Sequence, residues 1–373
     1  MFKIALKFIL YDKPKSIGAL AGTLISVFLI GQQCGIFIFL RNAIVSLVNN
    51  NSQYIWVVDD KTTNANALSL LDMRVGQQLA SIKGVAKVHP LVVAGGSARF
   101  ANGKSSGIVL IGSQAPGFAG GPWNLYQGTK SSLLQEGAII TEFFSKDDFG
   151  GAQMGDYFEV NGKKVFISGQ TKGVTSFSGA YTFTTIERAR YLGKVSPYKA
   201  SAFLLEWEPG VPQQQVVAHI NAAGMGGIRA WTGPDFTEAT ALTVLLSSGI
   251  PFSFGTIIVF AFIFGFVIIG LTLYSAATDR LRDYGTLKAI GATNGYVRRL
   301  ILTQALIFAV VGFAIGYVLL LGFKKGIANV GTIFEFPLWL EVGFFVSILL
   351  IALSGSLFAI RRITKVEPAQ VFR

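Results

Sequence analysis

Charge is scarce in this chain. Lys, Arg, Asp and Glu make up 14% of its 373 residues, against about 25% in an ordinary soluble domain. Mean hydropathy is +0.52, so a wholly soluble globule is excluded. Cysteine is scarcer still: Cys34 stands alone, no intrachain disulfide can form, and each domain must hold together by its own core. Histidine is limited to His89 and His219. They are far apart with no cysteine nearby, which argues against a zinc site. No Gly-x-Ser-x-Gly elbow accompanies them, and no catalytic constellation emerges.

What fills the space is apolar sequence. Four runs, residues 17–40, 250–276, 300–321 and 340–360, hold no Lys, Arg or Asp. Each meets the length of roughly 20 residues needed to cross a hydrocarbon core. The expected fold class is an α-helical membrane protein with four transmembrane helices. An α+β extracytoplasmic domain, residues 41–249, lies between the first and second helices. Residues 1–16 form an expected interfacial helix, with Lys3 and Lys7 on one face and Pro14 breaking the chain before the first span. The remaining segments are a loop at 277–299, a short outer loop at 322–339 and a tail at 361–373.

Basic residues orient the spans. Lys3, Lys7, Lys13 and Lys15 precede the first span. Arg280, Arg282, Lys288, Arg298 and Arg299 lie in the second connection, and Arg361, Arg362, Lys365 and Arg373 follow the last span. Both termini and the 277–299 loop are therefore expected in the cytoplasm, with the large domain outside. The net charge of +12 falls mainly on the cytoplasmic side, which fits attraction to anionic lipid and excludes a nucleic-acid partner.

Within 41–249 the pattern predicts a stalk helix at 43–51 and strands at 54–59 and 85–93. It predicts hairpins around Asn102–Gly103 and Asn161–Gly162, and a Gly- and Pro-rich loop at 115–129. Residues 73–82 read as a helix, and 202–207, 211–222 and 228–231 as strand, helix and strand. A second stalk helix at 237–248 is expected to feed the second span. ARFANGKS at 98–105 meets a relaxed phosphate-loop pattern, yet the strand-like residues that follow argue for a hairpin rather than a phosphate cradle. Asp147 and Asp148 read as a solvated loop. Asn50–Asn51–Ser52 fits a glycosylation sequon that would be idle in a bacterial protein.

The 277–299 loop carries the stronger signal. Leu281, Tyr284, Leu287 and Ile290 recur at three-residue steps on one helical face, with Arg280, Asp283 and Lys288 elsewhere. Gly291 followed by Thr293, Asn294 and Gly295 marks a helix stop and a new start. The residues alone leave two readings open: a docking helix, or a surface helix that merely turns the chain. Gly255, Gly265 and Gly270 permit close helix approach in the second span, as a dimer seam or as ordinary packing.

One span, a large domain and three further spans is the layout of the MacB/FtsX/LolC-type ABC transporter permeases. Residues 252–317 resemble the DevC-like subgroup, through FSFG at 252–255 and DRLRDYGTLKAIGATNGYVRRLILTQAL at 279–306. The ending VEPAQVFR at 366–373 is similar too, whereas Leu271 and Leu273 stand where that subgroup has Gln and Phe.

The resemblance implies a permease subunit of an ABC exporter, without an ATPase site of its own. ATP and Mg would be bound by a separate cytoplasmic ATPase. Arg280, Leu281, Asp283, Tyr284, Leu287, Lys288 and Ile290 would form the coupling helix docked on it. Two permease copies, identical or paralogous, would sit in the bacterial inner membrane and work with a membrane-fusion adaptor and an outer-membrane channel. Their cargo would be a glycolipid or other amphiphile. A mechanotransmitting or lipoprotein-releasing permease of the same fold, or a non-transporting membrane sensor, are the alternatives.

Overall fold

The computed structural model describes residues 2–329 and 331–364. The ending at 366–373 and the greater part of the 361–373 tail lie outside the described residues. Among the described residues ten α-helices run in chain order: α1 (Phe2–Tyr11), α2 (Lys13–Asn49), α3 (Arg74–Ala80), α4 (Ile186–Gly193), α5 (Gln213–Ala222), α6 (Gly233–Ser248), α7 (Ile250–Asp279), α8 (Leu281–Ala289), α9 (Asn294–Ala328) and α10 (Leu338–Thr364). The chain divides into two compact units. One comprises Met1–Ile38, Ile250–Ala328 and Phe334–Arg373; the other comprises Phe39–Gly249 and Asn329–Ile333.

The first unit is a helical bundle. Four helices, α2, α7, α9 and α10, are long and apolar enough to cross a membrane. Lipid tails supply no hydrophobic drive between helices, so close approach of small residues must hold them. A Cβ added at Gly312 would come within 2.5 Å of Thr23, and one at Gly316 within 2.6 Å of Val27. Ser26 Oγ donates to the Ala261 carbonyl at 3.2 Å. The 37 residues of α2 span about 55 Å at 1.5 Å per residue, well beyond a hydrocarbon core of about 30 Å. The helix is unbroken, and its residues from Phe39 onward belong to the second unit. It ends where Asn50 and Asn51 turn their side-chain amides back to donate to the carbonyls of Ser46 and Leu47.

In the second unit the strands are β1 (Ile55–Asp59), β2 (Leu71–Asp72), β3 (Val85–Arg99), β4 (Ser105–Ser113), β5 (Leu125–Gln127), β6 (Ala138–Glu142), β7 (Tyr157–Val160), β8 (Lys163–Thr171), β9 (Ala180–Thr185), β10 (Lys199–Ala200), β11 (Ala202–Trp207) and β12 (Ile228–Trp231). They build two lobes that share β3. In the first lobe the order is β12-β1-β11-β3, with every pairing antiparallel. With α3 and α5 as crossovers this is a βαββαβ, ferredoxin-like arrangement. The two-residue side-chain period sorts β1 cleanly. Ile55 and Val57 pack with Leu79, Val216 and Ile220 of α3 and α5. Trp56 and Val58 pack on the opposite face with Leu47, Val48 and Phe236.

The second lobe is inserted between β3 and β11. β3 pairs β4, β4 pairs β9, β9 pairs β6, β6 pairs β8, β8 pairs β7, and β7 returns to β3. These strands close into a barrel, which removes exposed edges. Ala98, Ile108, Leu110, Ile139, Val160 and Ile167 fill its core.

Several expectations need correction here. The strand expected at 85–93 and the first arm of the hairpin around Asn102–Gly103 are one strand, β3, because Gly95 and Gly96 continue its pairing with Val109 and Ile108 instead of ending it. The 115–129 segment contains β5, paired with β8. No strand or helix was expected between residues 170 and 201, where β9 and α4 lie. The second stalk helix does not feed the second span continuously. Gly249 adopts a left-handed conformation, φ +66°, between α6 and α7.

Candidate functional site: the α8 helix

Helix α8 begins immediately after α7 and stops for a readable reason. Gly291 has φ +101°, Ala292 N–H donates to the Leu287 carbonyl at 2.9 Å, and Gly291 N–H donates to that of Lys288 at 3.0 Å. This is a Schellman stop built on a left-handed glycine. Thr293 then caps α9, its hydroxyl accepting from the Tyr296 N–H at 3.3 Å.

Of the apolar stripe, Tyr284 and Leu287 face inward while Ile290 is exposed. Tyr284 is 2% exposed and meets Phe8 of α1 with ring centroids 5.5 Å apart. Burial pushes its phenol up to about 12, against the opposing effect of a hydrogen bond with Gln304. Leu287 packs against the same bundle core, and Leu281 is half-buried. Lys288 Nζ donates to the carbonyls of Ile363 and Thr364 at the end of α10, 3.0 and 3.3 Å away. Burial lowers its ammonium pKa. The Arg280 guanidinium lies over the rings of Phe8 and Tyr11, 4.7 and 4.8 Å from their centroids.

Four of the residues expected on a docking face, Arg280, Tyr284, Leu287 and Lys288, therefore contact α1 or the bundle. A period of three apolar residues shows that a face is covered, not what covers it. The face left open carries Arg282, Asp283, Thr286 and Ile290, spaced to lie together on a helix. Ile290 is 78% exposed. Of these, Asp283 and Ile290 belong to the expected docking set; Arg282 and Thr286 do not.

Two of the three glycines expected at a dimer seam are occupied within the chain. A Cβ at Gly265 would meet Ser26 Oγ at 2.5 Å, and one at Gly270 would meet the Gly355 carbonyl at 3.1 Å. Gly255 has open space around it.

The remaining candidates are structural. At 98–105 the backbone forms the β3–β4 hairpin: Phe100 N–H donates to the Lys104 carbonyl and Gly103 N–H to that of Phe100, and Gly103 sits at φ +80°. His89 Nε2 lies 3.0 Å from Glu206 Oε1, and Lys87 Nζ lies 3.0 Å from Oε2 of the same carboxylate. Lys87 first, then His89, holds the Glu206 carboxyl below its usual range. His219 lies on α5, and Asp147 and Asp148 are exposed. Glu142 is a buried carboxylate that sequence reading did not single out. Its oxygens accept from the Gly173 and Val174 N–H groups at 2.8 and 3.1 Å and lie 2.6 Å from Thr171 Oγ1. Burial raises its pKa.

Comparison with known proteins bears on the C-terminal region. Residues 255–368 match the family described as FtsX-like permease C-terminal. An uncharacterized ABC transporter permease of Mycobacterium tuberculosis, found in two strains, is 23% identical over 231 residues, covering 60% of this chain and 59% of the relative. The chain thus spans about three fifths of the length of the curated relatives it matches. Among solved structures, the periplasmic region of MacB from Actinobacillus actinomycetemcomitans covers 50% of this chain and 91% of its own at 12% identity, TM-score 0.37. The extracellular domain of the noncanonic ABC-type transporter YknZ from Gram-positive bacteria covers 48% and 99% at 14% identity, TM-score 0.35. Residues 255–368 are thus similar to the C-terminal region of FtsX-like permeases, and the chain as a whole is similar to ABC transporter permeases.

Proposed function

We propose that this chain is the membrane permease subunit of an ABC exporter and that α8 is its coupling helix, docked on a separate cytoplasmic ATPase that binds ATP and Mg. The observation that carries the reading is the division of α8. One face is fastened to the bundle through Tyr284 and Lys288, while Arg282, Asp283, Thr286 and Ile290 stay open. A helix fastened this way moves with the bundle when pushed, which a flexible loop would not do.

On this reading both termini are cytoplasmic and the domain between the first two spans is periplasmic. A second permease copy completes the complex. ATP-driven motion passes along α2 toward the periplasmic domain, expelling an amphiphilic envelope cargo through an adaptor and an outer-membrane channel.

The test is co-purification of the full chain with an ABC ATPase subunit, identified by mass spectrometry and by ATP hydrolysis. Ile290→Asp combined with Arg282→Glu is expected to lower recovery of the ATPase about tenfold, the loss of roughly one buried apolar contact or charged pair. Insertion and monodispersity should be unchanged, because neither side chain packs on the bundle. Undiminished recovery sinks the assignment of α8.

A further inference from the structure

Glycine inside a strand weakens it, and the usual reasons for one are a bulge, a bend, or close approach by a ligand or another backbone. β3 and β4 hold four glycines, Gly95, Gly96, Gly107 and Gly112. Two of them have a packing reason. A Cβ at Gly96 would meet Val160 at 3.1 Å, and one at Gly112 would collide with Ala189. A Cβ at Gly95 or Gly107 would meet nothing within 4 Å. The β3–β4 register runs without a bulge from the Leu91–Ser113 pair to the Arg99–Ser105 pair, and neither of these two glycines has left-handed backbone.

Both lie on one face of the sheet. Gly95 pairs with Val109, and Val109 pairs in turn with Tyr181 of β9. Val93 and Gly107 stand two residues along their strands from that row, which is the side-chain period of a sheet. Gly95 and Gly107 are therefore diagonal neighbours, and together they lower an oblique strip of that face. The strip is the floor of a groove of about 420 Å³ that lies wholly within the second unit, a volume usual for small-molecule sites. Its walls include Leu47 near the end of α2, Leu68, Val93, Val109 and Tyr181. Leu68, Val93 and Val109 also pack against the core that contains Leu47 and Tyr181, so the walls are fixed.

The lining decides the chemistry of the occupant. Among the described residues no Lys, Arg, Asp, Glu or His lines the groove, so an ion entering it would lose hydration with no charge to replace it. The Asn66 amide in the lining spends both Nδ2 hydrogens elsewhere, on the Ile44 carbonyl at 2.8 Å and on Asn64 Oδ1 at 3.1 Å. What remains is branched aliphatic surface on either side of bare strand backbone. That strip matches an extended alkyl chain in shape and in chemistry.

We propose that this groove binds the alkyl chain of an uncharged amphiphile, laid across β3 and β4 over Gly95 and Gly107. The site belongs to the second unit alone and is independent of the docking of α8.

The test is photolabelling of the full chain in lipid nanodiscs with a diazirine-bearing dodecanol and with the matching dodecanoate, the labelled residues being located by mass spectrometry. The alcohol is expected to label β3 and β4 around the groove above the other strands of the domain, and the carboxylate to do so about tenfold less. Gly95→Val and Gly107→Val should each lower that labelling about tenfold, the worth of roughly two displaced methylenes. Both variants should keep or raise the unfolding midpoint of the domain, because a β-branched residue suits a strand and meets no neighbour there. Labelling of wild-type β3 and β4 no stronger than elsewhere in the domain overturns the site, as does labelling undiminished in both variants. A midpoint lowered in both variants assigns the glycines to the fold and overturns it too. Equal labelling by the carboxylate overturns the uncharged class of ligand.

Discussion

The helical unit and the domain between its first two spans are held together by opposite means. In the bundle, helices meet where side chains are missing: a Cβ at Gly270 would press on Phe358 and the Gly355 carbonyl at 3.0 and 3.1 Å, and one at Gly22 would collide with Ile268. In the interspan domain, contacts are made by bulk. Trp56, Phe183, Phe203 and Phe236 are each at most 1% exposed, and Trp123 closes on Phe183 with centroids 5.2 Å apart. Water supplies the drive for the second kind of packing and is absent for the first. The lesson is that small residues are the adhesive in one unit and would be voids in the other.

Substitutions can break that comparison, and the largest effect is expected in the interspan domain. Phe183→Ala should cost about 3–5 kcal/mol as a cavity at the meeting of β9, β4 and β6, read as a lowered denaturation midpoint by tryptophan fluorescence. Next, Gly270→Leu should cost about 1–3 kcal/mol by forcing α7 from α10, read as loss of monodispersity in detergent with the interspan domain still folded. Equal damage to both units from either change would erase the distinction.

A smaller effect is expected where the two kinds of packing adjoin in sequence. Gly249→Ala places a Cβ on a left-handed backbone at a cost of about 1–2 kcal/mol, and Gly249→Asn should be milder. Unfolding midpoints of the two variants rank them.

The smallest effect concerns pH and sharpens the comparison by belonging to the interspan domain alone. Glu142 has a raised folded-state pKa from burial. Its stabilising contribution is therefore fully present below the ordinary glutamate value of about 4.3 and is lost as pH rises through the raised value. Unfolding midpoints should slope downward over that window, and Glu142→Gln, neutral throughout, should flatten the slope. A slope that survives the substitution assigns the pH dependence to another group.

Much of the fold was legible because its causes are local. The four spans follow from apolar runs, the hairpins from Asn102–Gly103 and Asn161–Gly162, and the end of α8 from Gly291. What escaped notice depends on partners distant in sequence. β9 reads Ala-Tyr-Thr-Phe-Thr-Thr, and its threonines suggest an exposed strand. Yet Thr182 and Thr184 are fully buried, because β9 runs parallel to β4 and beside β6 inside a closed sheet. Gly95 and Gly96 resemble a break and instead let a long strand serve two lobes. At α8 the apolar stripe is visible, but what covers Tyr284 and Leu287 is α1 and the bundle core, which no periodicity identifies.

The single left-handed residue at Gly249 makes the two chain connections that leave the bundle differ in construction. α2 carries its helical ladder without interruption from Lys13 to Asn49, a single hydrogen-bonded element from end to end. The other route changes handedness for one residue between α6 and α7. There the helical ladder stops and restarts, so α6 and α7 are joined through a single residue's dihedrals and not through a shared helix.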